Sequence, residues 1–250
     1  AFMREALAHP QDCDVNRLPP PVSTVEDEYF PGLWLAGDGL IFTRRVIDAR
    51  WQQGQEDLFV SRKEAGGWSI PQPLRGLNTL DNEGAASLSG QGTSLCFTMC
   101  READRPGQGA HKGSCDLYAA RKTADGSWGR PVNLEGLNTS GWESQPCLSP
   151  DGRTVHFTRG RGRPGNRQHD LFVAELDQTG RWGRAVRLPE TINTPGQDMR
   201  PFLPPPLLHL SFPSPCPPRL LCLPLFLSPI QPPRPSSLPP TLPPPLPPPP

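Results

Sequence analysis

The sequence predicts an all-β fold built from repeated four-stranded antiparallel units. The first observation is a mark that recurs along the chain, in which a threonine precedes a carboxylate by four residues. The acids stand at positions 28, 83, 143 and 198, so the steps between them are 55, 60 and 55 residues. The four pairs are Thr24 with Glu28, Thr79 with Glu83, Thr139 with Glu143, and Thr194 with Asp198. A fixed period of this kind is the sequence signature of a repeat protein.

The second observation is the order of short motifs between these marks. A glycine turn and an apolar run ending in Phe-Thr come first ("LAGDGLIFT", "LSGQGTSLCFT", "LSPDGRTVHFT"), and "DLFV", "DLYA" or "DLFV" follows after a polar loop. A second glycine turn leads to tryptophan, and a run such as "GRPVNLEGL" ends the unit. Each unit thus offers four short β-rich runs separated by turn residues, which is typical of an antiparallel meander.

Four meandering strands per repeat are typical of one β-propeller blade. The repeats span residues 14–203, with units at about 27–81, 82–141 and 142–196 and a fragment at 197–203. Because closed propellers have four to eight blades, three blades plus fragments predict an incomplete propeller. Its open edges favour self-association.

The motif series "SPDG", hydrophobic-Phe-Thr, "DLYV"-like, Gly-x-Trp, "PVNL" and "INTPG" resembles the WD40-like repeats of TolB-like β-propellers. It is most similar to bacterial cell-envelope members, which often precede an OmpA-like domain. The resemblance implies a periplasmic or outer-membrane-associated protein. Unit two departs from the pattern with "SGQG" in place of "SPDG".

The two ends of the chain differ from the repeats. Residues 1–13 predict an unstructured leader without the apolar core of a signal peptide, whereas residues 15–18 align with the last strand of a blade. Residues 204–250 contain 21 prolines in 47 residues. Proline lacks the N–H group that a sheet ladder needs, so this tail is predicted to be disordered.

Three interpretations of the proline-rich tail stay open. It is a polyproline segment that recruits SH3-like or WW-like domains, an inert linker, or the product of a reading frame that departs from the repeats. Its apolar stretch is too interrupted by proline for a membrane-spanning helix.

The repeated polar residues are the first candidates for a binding site. If the acids begin the innermost strands, they surround one mouth of the central channel and offer ligands to cations or basic side chains. In the alternative interpretation each carboxylate accepts backbone N–H groups and holds a turn, and the asparagine before each threonine forms an Asx-type turn. The candidate residues are Glu28, Glu83, Glu143, Asp198, Asn78, Asn138 and Asn193.

The loop "RGRGRPGNRQH" in the third unit carries a second candidate patch. Its basic residues include Arg161, Arg163 and Arg167. A peptide or glycan that carries carboxylates is the ligand such a patch favours; the alternative is a solvated loop.

The seven cysteines include one pair placed to form a disulfide. Cys100 ends the second strand of unit two and Cys115 begins the third. Adjacent antiparallel strands bring such ends close to the Cα separation that a disulfide prefers. The alternative is two free thiols.

The sequence favours a non-catalytic scaffold that binds a protein or a cell-wall glycan through its loop face. It offers no "GxSxG" nucleophile elbow, no metal-ligand spacing of histidines and no phosphate-binding glycine loop, and no metal or cofactor is predicted. Equal numbers of basic and acidic residues, 25 each, disfavour nucleic acid as a partner. A propeller glycosidase, the accessory propeller of a peptidase, and a gene fragment without a function of its own are the alternatives.

Overall fold

A computed structural model describes residues 16–34, 38–48, 53–101, 111–162 and 168–203. The described residues from Arg17 onward belong to one compact unit. They contain β-strands and turns and no helix. The predicted leader and the proline-rich tail lie outside the described residues.

The strands form three successive blades of an incomplete β-propeller. Blade 1 contains β1 (Asp27–Trp34), β2 (Gly39–Asp48), β3 (Gln53–Glu64) and an outer edge divided into β4 (Gly67–Trp68) and β5 (Gln72–Pro73). Blade 2 contains β6 (Asn82–Leu88), β7 (Ser94–Cys100), β8 (Cys115–Arg121) and β9 (Val132–Asn133). Blade 3 contains β10 (Trp142–Leu148), β11 (Thr154–Arg161), β12 (Gln168–Glu175) and β13 (Val186–Arg187).

Each blade is an antiparallel meander in which a strand pairs with the next one, except that β4 and β5 of blade 1 both pair with β3. One parallel pair, Trp142 with Cys115, links blade 3 to blade 2. The outer strands are only two residues long, and single bridges from Lys122 to Trp128 and from Leu176 to Trp182 extend them. Residues 16–18, predicted to form a strand, have no strand structure.

The inner strand of every blade bulges two residues after the repeated acid. The residue there has a left-handed backbone, with φ of 50° at Phe30, 49° at Ala85 and 56° at Gln145. The pairing register shifts at the same place in all three blades, as expected where an extra residue interrupts a ladder. Arg200 repeats this conformation with φ of 61°, although residues 198–203 have no strand structure.

The apolar cores lie between blades, because strands of the middle blade are buried on both faces. On β7, Leu95 and Phe97 pack toward blade 1, whereas the intervening Cys96 packs toward blade 3. This alternation follows from the two-residue period of a strand. Trp128 and Trp182 pack at the edges of the two cores.

A segment before blade 1 takes the place of the end of a preceding blade. Val22, which is 4% exposed, packs on Leu40 and Phe42. The carbonyl oxygen of Val22 accepts a hydrogen bond from Arg44, just as that of Leu137 accepts one from Arg159 in blade 3. The peptide bond between Pro20 and Pro21 is cis.

Candidate functional site

The repeated threonine and acid form one closed turn in all four units. The backbone N–H and the hydroxyl of each threonine donate to the carboxylate four residues later, with hydroxyl distances of 2.5 to 3.1 Å. The same hydroxyl oxygen accepts the N–H of the residue two positions on, at 3.0 to 3.1 Å. Each acid therefore holds the turn that leads from one blade to the next.

Arginine neutralises two of the four acids. Arg44 Nε lies 3.0 Å from Glu28, and Arg159 Nε lies 2.8 Å from Glu143. Each guanidinium also lies over an aromatic ring, Arg44 at 4.9 Å from the centre of Phe59 and Arg159 at 4.4 Å from that of Phe172. Cation, ring and carboxylate thus form one layer beside each turn.

Blade 2 has no such cation in its described residues. Met99 occupies the position that Arg44 and Arg159 occupy, directly after the Phe-Thr motif. Glu83 is fully buried, and burial raises the pKa of its carboxyl to about 7, although the hydrogen bonds from Thr79 oppose this shift. Glu83 is therefore close to the protonation midpoint at neutral pH.

The three asparagines pair across their blades. The side-chain amides of Asn78, Asn138 and Asn193 each accept from the N–H and donate to the carbonyl of a leucine in the third strand, at 2.7 to 3.0 Å. Each asparagine thereby continues the hydrogen bonding of the outer strand. The asparagine and the leucine are 20 to 22 residues apart in the sequence. The sequence instead predicts a local Asx-type turn at each asparagine.

The threonines of the Phe-Thr motifs join neighbouring blades. The N–H groups of the bulge residues Ala85, Gln145 and Arg200 donate to hydroxyls of the preceding blade, at 3.0, 3.1 and 3.3 Å. The acceptors are Thr43, Thr98 and Thr158, all buried. Sequence reasoning missed this role, although recurrence of Phe-Thr in every unit was the available signal.

The aspartates of the "DLF" and "DLY" motifs have unequal surroundings. Asp116 accepts from two backbone N–H groups and from Asn133, and Asp170 accepts from Arg187 at 2.8 Å. In blade 1 the position of Asn133 and Arg187 is occupied by Pro73, which has no N–H group or side-chain donor. One buried carboxylate oxygen of Asp57 accordingly has no hydrogen-bond partner among the described residues. Burial raises the pKa of Asp57, with an opposing hydrogen bond from Gln55.

Cys100 and Cys115 are register partners on β7 and β8. They are joined by a disulfide, with Cα atoms 4.0 Å apart. Cys96 and Cys147 are buried free thiols. The redox state of this pair in solution stays a prediction.

A groove with a volume of about 710 Å³ lies at the junction of blades 2 and 3. Four arginines of blade 3 line it, together with Gly136, Leu137 and Thr139 from the segment that joins blades 2 and 3. We call this cavity the arginine groove. Its arginines are Arg159, Arg161, Arg184 and Arg187.

The arginine groove includes only part of the predicted basic patch. Arg161 lies in it with its side chain 57% exposed, whereas Arg163 and Arg167 lie outside the described residues. Sequence reasoning missed Arg184 and Arg187, which stand in the outer-strand run "GRAVRL" more than 20 residues after Arg161. Arg184 and Arg187 lie near Arg161 because the outer strand β13 pairs antiparallel with β12 in the folded blade.

Among the described residues, no three His, Cys, Asp or Glu side chains are grouped so that they could hold a metal ion. In that same part of the chain, no helix has the length and apolar character needed to cross a membrane.

No family model and no curated protein matches the chain. Solved structures that it resembles include the β-propeller domain of the Trilobed protease from Pyrococcus furiosus, with 10% identity and a TM-score of 0.42 over 66% of this chain and 43% of that one. They also include the putative TolB from Agrobacterium tumefaciens, with 19% identity and a TM-score of 0.42 over 64% and 48%. Trypanosoma rangeli sialidase in complex with the inhibitor DANA has 12% identity and a TM-score of 0.38 over 66% and 32%.

The chain thus spans less than half the length of each of these three structures. At such identities a likeness concerns the fold alone and assigns no activity.

Proposed function

We propose that the chain is a non-catalytic β-propeller scaffold of the TolB-like, WD40-like type that holds a protein or a cell-wall glycan on its loop face. The loop face is the side that carries the blade-to-blade turns and the ends of the second strands. The observation that supports this function most is that each repeated acid bonds to its own turn, so these carboxylates serve the fold.

Internal bonding also argues against the glycosidase alternative. A glycosidase needs two carboxylates that face a sugar from opposite sides. Glu83 and Glu143 are both 0% exposed, and each accepts two hydrogen bonds from its threonine. To hydrolyse a glycosidic bond, Glu83 and Glu143 would first have to break their hydrogen bonds to threonine and become exposed.

What distinguishes the blades is the loop face. At the equivalent position near the end of the second strand, blade 1 has Arg45, blade 2 has the disulfide-bonded Cys100 and blade 3 has Gly160. A constant body with a variable face is the usual arrangement for a binding scaffold.

The first test is retention on isolated peptidoglycan sacculi. Leu80→Glu with Ser140→Glu adds two charges to exposed turns of the loop face, and Ala124→Glu with Gln178→Glu adds the same charge to exposed turns of the opposite face. The proposal expects retention by the full chain, a loss of about tenfold in the loop-face variant, and no change in the control variant. Equal retention of both variants would contradict binding through the loop face.

The second test is catalysis on chromogenic glycosides and peptides. Turnover that Glu83→Gln or Glu143→Gln abolishes would replace the scaffold with an enzyme. An envelope location, self-association and recruitment of SH3-like or WW-like domains by the tail are further parts of this proposal. Fractionation of the native host cells tests the location.

A further inference from the structure

The arginine groove combines an excess of positive charge with a defined shape. Its four guanidinium groups face two carboxylates in ion-pair contact, Glu143 and Asp170. Asp170 raises the pKa of Arg187 most, and Glu190 and Asp198 add to this effect.

No acidic residue is among the described residues that line the groove. Arg161 and Arg184 therefore offer positive charge to a ligand. Arg184 is exposed, and Arg161 Nε lies 3.8 Å from Asp170, which is beyond hydrogen-bond distance.

The remaining arginines hold the shape of the groove. Arg159 is fixed by Glu143 and by the carbonyl oxygen of Leu137 at 2.6 Å. Arg187 is fixed by Asp170 at 2.8 Å. The ring of Phe172 lies under both Arg159 and Arg161, with guanidinium carbons at 4.4 and 5.6 Å from its centre. Because Arg161 is stacked on this ring, it loses less side-chain entropy when a ligand binds than a freely rotating arginine would.

The equivalent positions of blade 2 do not offer this arrangement. Met99 replaces Arg159 and Asn133 replaces Arg187, while the counterpart of Arg161 is Arg101, which pairs with Asp81 at 2.7 Å. Arg130 stands in blade 2 where Arg184 stands in blade 3, and it is also exposed. Blade 2 thus has the exposed arginine of the outer strand, but only blade 3 has the complete set of four arginines.

We infer that the arginine groove binds an acidic peptide segment, with Arg161 and Arg184 taking two of its carboxylates. This inference rests on the proposed scaffold function and names the chemical class of the partner. Arginine forks match carboxylates in two-point contacts, and clusters of arginine are a recurring means of recognising acidic motifs. The volume of about 710 Å³ lies within the range of ligand pockets and suits a few residues.

A peptide fits the groove better than a nucleic acid does. The groove wall includes the apolar side chains of Ala185 and Val186, and Val186 is 59% exposed. Nucleic-acid sites depend on an extended basic surface that follows the phosphates, whereas this chain has no net charge. The apolar wall offers contact area to the backbone and side chains of a peptide.

The test is fluorescence anisotropy of a labelled hexaglutamate peptide with the full chain, and hexaglutamine as the uncharged comparison. Binding of hexaglutamate alone, weakening as salt rises, is expected. The variant Arg161→Ala with Arg184→Ala should bind about tenfold more weakly or worse. The control, Arg121→Ala with Arg181→Ala, removes the same charge from exposed residues at the opposite ends of the strands and should bind as the unchanged chain does.

Several outcomes would overturn the inference. Equal losses of hexaglutamate affinity in the groove and control variants would show that the peptide is attracted by positive charge in general and not by the arginine groove. Tighter binding of a charge-matched oligonucleotide or of an oligomer of uronic acid would assign the groove to another class of ligand. Failure to bind hexaglutamate while sacculi are still retained through the loop face would reject the groove as a peptide site and leave the scaffold function standing. Matching thermal melts of the two variants exclude unfolding as the cause of a loss.

Discussion

The turns that enter blades 2 and 3 have the same hydrogen bonds but different electrostatics. In both, threonine donates twice to a fully buried glutamate. Arg159 completes the turn of blade 3, whereas Met99 stands in its place in blade 2. Hydrogen bonds from threonine suffice to form the turn, but they leave the charge of Glu83 without an opposite charge in ion-pair contact among the described residues.

The largest expected effect comes from making blade 3 resemble blade 2. Arg159→Met should lower the free energy of unfolding by about 3–5 kcal/mol, because removal of one partner leaves a buried carboxylate unpaired. Urea denaturation measures this loss, and the same change made in a Glu143→Gln background should cost clearly less. Equal losses in the two backgrounds would mean that Arg159 acts by packing alone.

Blade 2 has a covalent connection that blade 3 lacks. Cys100 and Cys115 close a loop with a sequence separation of 15 residues, at the position where blade 3 has Gly160 and His169. On the loop-entropy model, reduction of the bond should lower the free energy of unfolding by about 3 kcal/mol. Denaturation with and without a reductant measures the change, and Cys100→Ser with Cys115→Ser is the control that should no longer respond. Intact mass after alkylation of the untreated chain would reject the bridge if it counted both thiols as free.

The raised pKa of Glu83 makes the stability of the chain depend on pH. The pKa of Glu83 is about 7 in the folded chain and about 4.3 in an unfolded one, so the folded state binds the proton more tightly. Stability from this residue is therefore greatest below pH 4 and falls as pH rises to 7, by a total of about 3 kcal/mol.

Denaturation between pH 4 and pH 8 measures this slope. In Glu83→Gln the decline in stability with rising pH should be smaller, because the glutamine amide does not ionise in this range. An unchanged slope in that variant would assign the decline to other groups, among them Asp57, whose pKa burial also raises.

A smaller gain is expected from supplying the missing cation. Met99→Arg would place a guanidinium near the ring of Tyr118, which stands where Phe172 stands in blade 3. The free energy of unfolding at pH 8 should rise by about 1–2 kcal/mol through a charge-assisted hydrogen bond to Glu83. In the Glu83→Gln background the same change should give no gain. A gain of equal size in both backgrounds would show that no ion pair forms.

The smallest effect concerns the threonine that joins adjacent blades. Thr98→Val removes the acceptor for the N–H of Gln145 and should cost about 1 kcal/mol. Thr158→Val removes the acceptor for Arg200, and should cost less because Arg200 also donates to the side-chain oxygen of Gln145. Thermal melts of both variants rank them, and a larger cost at Thr158 would contradict this order.

The sequence predicts the all-β propeller blades because their determinants are local and recur. The glycine turns, the Phe-Thr runs and the threonine–acid spacing each lie within a few residues of one another, and repetition makes their order visible. The three units give three blades, and the left-handed backbone two residues after each acid recurs even in the fragment, at Arg200.

Long-range partners could not be predicted in this way. The pairing of Asn138 with Leu117 depends on how the fourth strand returns along the third. Arg184 joins Arg161 in the groove for the same reason. The unpaired oxygen of Asp57 follows from a proline in the neighbouring strand, and no local pattern marks it.

The most direct test of this account is a titration of the Glu83 side-chain carboxyl by carbon-13 NMR, in the unchanged chain and in Met99→Arg. Glu83 is an internal part of the fold, and its charge depends on whether a cation lies beside it. We expect a midpoint near pH 7 for Glu83 in the unchanged chain and a clear decrease in Met99→Arg. A midpoint near 4.5 in both proteins would show that Glu83 is exposed to solvent, and would contradict the account.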